Sequence, residues 1–274
     1  MSRPATGGPA QRSAGERRAP ARGRRALTSA GALTLVAMSA TACSGEAARL
    51  GMPEPISEQG ERVLTLWQGS WVAALATGAI VWGLIIWAVL FHRKRSDELP
   101  PQVRYNLPIE MLYTAVPFVI IAVLFYFTAR DETYLEKTTA NPAVVVDVTA
   151  FQWSWQFDYP QHNVSVIGSP AAPDENPGNK PVLVVPTGQT VRFNLHARDV
   201  IHSFWVPALL YKKDVMPGYN NKFEVKLTKT GTYEGRCAEL CGVDHSRMLF
   251  QLKVVTPAEF QQFIDSKKAA GGTQ

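Results

Sequence analysis

The sequence predicts a two-helix membrane hairpin followed by an all-β domain. Two uncharged apolar runs, residues 66–91 and 111–129, are each long enough to cross a bilayer at about 1.5 Å of rise per residue. From residue 141 onward, short apolar or alternating runs are separated by turn residues, a pattern that suggests a β-sandwich or barrel. A chain of 274 residues is long enough for one sizeable domain besides the membrane segments.

The first 42 residues read as a secretory signal. Residues 1–25 are rich in Arg, Gly, Pro and Ala, and a short apolar run follows at 26–42. The run ends in small residues before Cys43, as a lipoprotein cleavage site does, so Cys43 is expected to become the lipidated first residue of the mature chain. The alternative is an ordinary signal with an incidental cysteine. This segment also explains the basic balance. The whole chain has a net charge of +5, but residues 1–42 hold seven Arg and one Glu, leaving −1 for residues 43–274. There is no basic patch with interleaved aromatics, which excludes a nucleic-acid partner.

Residues 43–65 form an extracytoplasmic segment, and residues 66–130 the hairpin. Trp67, Trp71 and Trp87 lie toward the ends of the first run, where interfacial aromatics belong. Pro117 interrupts the second run and is expected to kink it. The connection carries Arg93, Lys94, Arg95 and Arg104, whereas the segment before the first helix has only Arg49 and Arg62 among four Glu. The positive-inside rule therefore puts the connection in the cytoplasm and both flanks outside the cell membrane, in lipid contact between.

The β domain spans residues 131–256, with strand-like runs at 143–150, 181–185, 190–195, 223–227 and 249–255. Residues 169–180, with three Pro, read as a surface loop. Thr256-Pro257-Ala258-Glu259 is a capping-box pattern that starts a C-terminal helix, ending before Gly271, within a final segment 257–274.

The chemistry gathers in one loop. Cys237, Cys241, His245 and Met248 lie between two β-rich runs, and all four are soft or borderline donors. Soft sulfur with imidazole suits copper. A Cys-x3-Cys pair is also compatible with a disulfide, or with half of a zinc site, although zinc makes little use of Met. A mononuclear blue-copper site needs one Cys fewer. With His202 upstream, two thiolates, two imidazoles, a thioether and a backbone carbonyl suffice for two copper ions sharing bridging sulfurs. Three Cys imply no disulfide framework, and the lack of Cys-x-x-Cys-His argues against a covalently attached c-type haem.

Cys237-Ala238-Glu239-Leu240-Cys241, His245 and Met248, together with His202-Ser203-Phe204-Trp205-Val206-Pro207, resemble the binuclear Cu-A centre of bacterial cytochrome c oxidase subunit II. The resemblance runs from about residue 60 to 265. It implies a cupredoxin-like Greek-key barrel. It also implies that Cys237 and Cys241 are bridging thiolates, His202 and His245 terminal ligands, Met248 a weak axial donor and the Glu239 carbonyl its counterpart. The Glu239 carboxylate is expected to bind magnesium at the boundary with the catalytic subunit. Trp153 is implied as the residue that receives electrons from a c-type cytochrome, and Glu110 as the mouth of a proton channel.

The implied partners are the catalytic haem-copper subunit I, the other oxidase subunits and the cytochrome donor. The implied activity is that of an oxygen-reducing, proton-translocating complex, with this chain as its electron-accepting subunit. Without the resemblance, Trp153, Trp155 and Phe157 read as one core-facing strand face, and Glu110 as a carboxylate suited to a helix N-terminus. Arg236, where relatives often have Gln, and the Pro-rich loop depart from the family pattern. A copper-free quinol oxidase subunit II and a membrane-tethered copper carrier are the alternatives; the full ligand set argues against the first, and Glu110 with the Trp-rich stretch against the second.

Overall fold

The computed structural model describes residues 45–99, 101–169 and 180–271. The signal reading for 1–42, Cys43 and most of the Pro-rich loop lie outside the described residues. Helix α1 (Glu58–Phe91) and helix α2 (Leu107–Leu135) cover the two apolar runs and extend beyond both. Ser57 sets the start of α1, its hydroxyl accepting from the Gly60 N–H at 3.0 Å, with Glu58 and Glu61 favourably placed in the first turn. At the other end of the hairpin, Asn106 caps α2, and α2 continues through Pro117.

Both helices are long and apolar enough to cross a membrane. They also expose their apolar side chains, including Val72, Ile80, Phe118 and Phe125, as lipid-facing helices do and core helices of a soluble protein do not. Where α1 and α2 meet at the β-domain end, Asp131 is buried between the guanidinium groups of Arg62 and Arg130, at 2.9 Å from each. A buried carboxylate needs such partners.

Among the described residues the β domain is two five-stranded sheets. One has the order β3 (Val164–Ile167), β2 (Ser154–Tyr159), β1 (Val144–Phe151), β5 (Thr190–Ala197), β8 (Asn221–Lys226). The other has the order β4 (Val182–Pro186), β10 (Leu249–Val255), β9 (Gly231–Cys237), β6 (His202–Val206), β7 (Tyr211–Val215). β1 with β5 and β4 with β10 are parallel; the remaining pairs are antiparallel. This sandwich agrees with the fold class expected, and helix α3 (Pro257–Ala269) follows it, with the Thr256–Glu259 capping box formed.

Alternation builds the core. Val144, Val146, Val148 and Ala150 of β1 point inward, as do Val191, Phe193 and Leu195 of β5. They meet Trp155, Phe157, Phe204, Phe223 and Phe250, whose rings contact one another edge-on and stacked. Burying one such side chain is worth about 1.5–3 kcal/mol. Gly235 makes room for Phe250: a Cβ there would fall 2.3 Å from the ring.

One expectation changes. Trp155 and Phe157 share the inward face of β2, but Trp153 does not. It sits with Gln152 in the turn that joins β1 to β2, between the paired residues Phe151 and Ser154. The turn takes Trp153 out of the strand's alternation, so it is half-buried at the end of the sandwich.

The helices are tied to the β domain by backbone. Ser57 bridges Leu227, the Ile56 N–H donates to the Ala208 carbonyl, and the Thr228 N–H donates to the Ile56 carbonyl. At the end of α2, Lys213 pairs with Glu136 at 2.7 Å. Just beyond, the buried Glu224 carboxylate accepts from the Thr139 N–H and from Arg192, which also donates to the Thr139 carbonyl.

Candidate metal centre

β6 begins at His202, β9 ends at Cys237, and β10 begins one residue after Met248. β6 and β9 pair Phe204 with Cys237, which brings His202 to the first cysteine from 35 residues away. The loop between β9 and β10 is closed by its own backbone: the Cys237 N–H donates to the Met248 carbonyl and the Ala238 N–H to the Ser203 carbonyl. A 3-10 turn, His245–Arg247, turns the imidazole back toward the sulfurs.

The donors converge on one buried volume. Cys237 Sγ lies 3.8 Å from Cys241 Sγ, 3.8 Å from His202 Nδ1 and 3.2 Å from the Glu239 carbonyl oxygen. Cys241 Sγ lies 3.4 Å from His245 Nδ1 and 3.8 Å from Met248 Sδ. His202, Cys237 and Cys241 place one ligand atom each within 4.8 Å of one another. Both cysteines are free and 3–4% exposed, and Met248 and His202 are fully buried. Six sequence-predicted donors thus meet, and the sulfurs and imidazoles among them are soft or borderline, as copper prefers.

Electrostatics favour one thiolate and resist a second. Burial pushes the Cys237 thiol up, but contacts with His202, the backbone of Glu239 and Ser203, and Cys241 outweigh it and hold the pKa below the ordinary value. Burial and the neighbouring Cys237 push Cys241 up to about 12. A bound cation is what would allow both sulfurs to ionise together.

Around the donors is a set of positioning residues, of which Asp199 and Gln152 were missed by sequence reasoning. Asp199 Oδ1 lies 2.8 Å from His202 Nε2, which leaves Nδ1 facing Cys237. Burial works against the charged form of His202, yet Cys237 and Asp199 draw its pKa upward. Asp199 is itself fixed by the N–H groups of Gln152 and Val200, each at 2.7 Å. The side-chain amide of Gln152 donates to the Cys241 carbonyl at 2.8 Å, and the Trp153 indole donates to the same oxygen at 3.2 Å. The available signal was an acid three residues before a ligand histidine; histidine ligands commonly have such a second partner.

The remaining predicted residues lie apart. The Glu239 carboxylate is exposed, and among the described residues the His/Cys/Asp/Glu group close enough to share an ion is His202, Cys237 and Cys241. Glu110 is in the first turn of α2, at the end of the hairpin away from the β domain, and accepts from the Asn106 N–H at 3.0 Å. His92, His162 and His196 contact Trp87, Phe260 and Asn220, away from the sulfurs.

The family model "Cytochrome C oxidase subunit II, periplasmic domain" matches residues 144–255. A probable cytochrome c oxidase subunit 2 from Streptomyces avermitilis is 48% identical, covering 91% of this chain and 89% of that one. Cytochrome c oxidase subunit 2 from Mycobacterium bovis is 38% identical over 92% of this chain and 85% of its own. The crystal structure of the periplasmic domain of subunit II of cytochrome oxidase from Bradyrhizobium japonicum has 30% identity and a TM-score of 0.43, covering 48% of this chain and 99% of that one. With its hairpin, its β-sandwich and its loop of convergent soft donors, this chain belongs to the cytochrome c oxidase subunit II family.

Proposed function

We propose that this chain is the subunit of a haem-copper oxidase that takes electrons from a c-type cytochrome and passes them to haem in the catalytic subunit, where oxygen is reduced to water and protons are pumped. The observation that carries the reading is the meeting of two buried free thiols with two imidazoles and a thioether at 3.4–3.8 Å. A binuclear copper centre held there would supply one-electron redox chemistry. In this reading the thiolates of Cys237 and Cys241, the imidazoles of His202 and His245, and, more weakly, the Met248 thioether and the Glu239 carbonyl would hold the copper.

The chain's own residues then divide the work. Asp199 holds the His202 ring in one orientation. Gln152 and Trp153 fix the Cys241 carbonyl, and Trp153, half-buried at the domain's end, is where electrons arrive. The Glu239 carboxylate would hold a magnesium ion at the boundary with the catalytic subunit, since a hard cation suits carboxylate oxygen. Glu110, at the cytoplasmic end of α2, stands at the mouth of a proton channel. The β domain and the segment before α1 lie outside the cell membrane, with the signal at 1–42 removed and Cys43 lipidated.

The test is copper content with visible and EPR spectra on the detergent-purified full-length chain, together with haem analysis of what copurifies. Two coppers per chain with a delocalised mixed-valence spectrum, and haem in the same preparation, are expected. One copper with a blue spectrum, or no haem partner, would turn the reading to a tethered copper carrier.

A further inference from the structure

The donors of the metal centre all belong to the second sheet and to the loop between β9 and β10, but one buried side chain of the first sheet touches two of the donor residues. Trp155 is on the inner face of β2 and has no exposed surface. Its indole Nε1–H donates to the Met248 carbonyl at 3.3 Å, across 93 positions of chain. Its ring centroid lies 6.4 Å from that of His202. Phe204 and Phe250 close on the same indole edge-on, at 5.9 and 5.2 Å, and hold it in one seat. His202 faces the Cys237 sulfur and Met248 the Cys241 sulfur, so this one indole reaches a donor residue on the side of each thiol.

The Met248 carbonyl accepts two bonds, from the Cys237 N–H at 3.0 Å and from Trp155. The two do different things. The Cys237 bond ties the ends of the donor loop to each other. The Trp155 bond ties the end of the loop to the opposite sheet. Met248 needs that outside partner, because its φ of −78° and ψ of 73° belong to neither the 3-10 turn before it nor the strand after it. A thioether is also a weak donor, so the protein has to set where it points. The bond works in both directions: a buried indole N–H without an acceptor is costly.

We propose that Trp155 is a positioning residue for the Met248 thioether: its indole N–H fixes the Met248 backbone from the opposite sheet, and through it the strength of the weakest sulfur donor and the reduction potential of the centre. The inference rests on the copper reading above and deepens it. It gives the two tryptophans of Trp153-Ser154-Trp155 separate duties. Trp153 donates to the Cys241 carbonyl at the end of the sandwich, and Trp155 donates to the Met248 carbonyl in the core.

Two measurements on the detergent-purified full-length chain test it. The variant is Trp155→3-benzothienylalanine, which keeps the bicyclic shape and replaces the N–H by sulfur. In the copper-loaded chain its reduction potential is expected to rise, the reduction equilibrium shifting about threefold, a fraction of one hydrogen bond's worth and about 28 mV for one electron. Trp155→7-azatryptophan, which keeps the N–H, should stay at the wild-type potential. Phe157→Leu is the packing control: Phe157 is buried on the same face of β2 and packs on Phe250, so this change should lower stability and leave the potential alone. In the metal-free chain, the Met248 methyl NMR signal is expected to be single in wild type and broadened or split in the benzothienylalanine variant. A potential that is unchanged or lower in that variant, an equal rise in Phe157→Leu, or an unaltered Met248 methyl signal overturns the proposal while leaving the copper reading standing. A wild-type chain that takes up no copper overturns both.

Discussion

The Trp153 indole N–H donates to the Cys241 carbonyl oxygen across 3.2 Å, although the two residues are 88 positions apart in the chain. The bond joins the turn between β1 and β2 to the donor loop. It is guarded by Gly242, whose φ of +127° is open to glycine and whose missing side chain keeps the indole in place: a Cβ would lie 3.0 Å from Trp153 Nε1.

Replacing Trp153 by Phe keeps a ring in the turn and removes the donated bond. If Trp153 is where electrons arrive, turnover with a c-type cytochrome should drop about tenfold, about 1.4 kcal/mol of barrier, while copper content stays unchanged. Stopped-flow reduction of the copper chromophore reads the step directly. Unchanged reduction with intact copper would leave Trp153 only its structural bond to Cys241.

Asp199→Asn keeps the shape of the group at His202 Nε2 and removes its charge. Copper affinity should fall about 10–100-fold, as it does when the second partner of a ligand histidine is weakened. Competition with a chelator of known affinity measures it, and an equal affinity in the variant would show that the Asp199 contact does not orient the ring.

Glu136 gives a pH-dependent tie between the hairpin and the β domain. Partial burial pushes its carboxyl up, but Lys213 and Tyr211 outweigh burial and hold its pKa below the usual carboxylate value. A depressed pKa means that the contribution is present at neutral pH and lost as pH falls through the folded value. Glu136→Gln should therefore lower stability at pH 7 by at most about 0.5 kcal/mol, given the solvent screening of a half-exposed pair. Melting curves of variant and wild type should converge below the folded pKa. A gap that persists in acid would place the effect in packing, away from charge.

Legibility in the sequence followed the length scale of each interaction. The two membrane helices were readable because an unbroken absence of charge over residues 66–91 and 111–129 has few other physical explanations. Five of the ten described strands were marked by apolar runs, but β7, with Lys212, Lys213 and Asp214 among five residues, hid its strand because an edge strand turns charges to solvent. Trp153 was read into the alternation of β2 because nothing in the local pattern marks where a strand gives way to its turn.

The sequence by itself determined the membrane hairpin, the all-β class of the domain and the donor loop, since Cys237, Cys241, His245 and Met248 lie together on one short stretch and their softness is a property of each residue. Only the tertiary structure decided that Asp199 holds His202, that Gln152 and Trp153 share the Cys241 carbonyl, and that Trp205 is flanked by Lys212 and Arg236. Each of these depends on which strand lies beside which and in what register. That register follows from how the two sheets bury their inner faces together, and a single stretch of chain carries too little of that information.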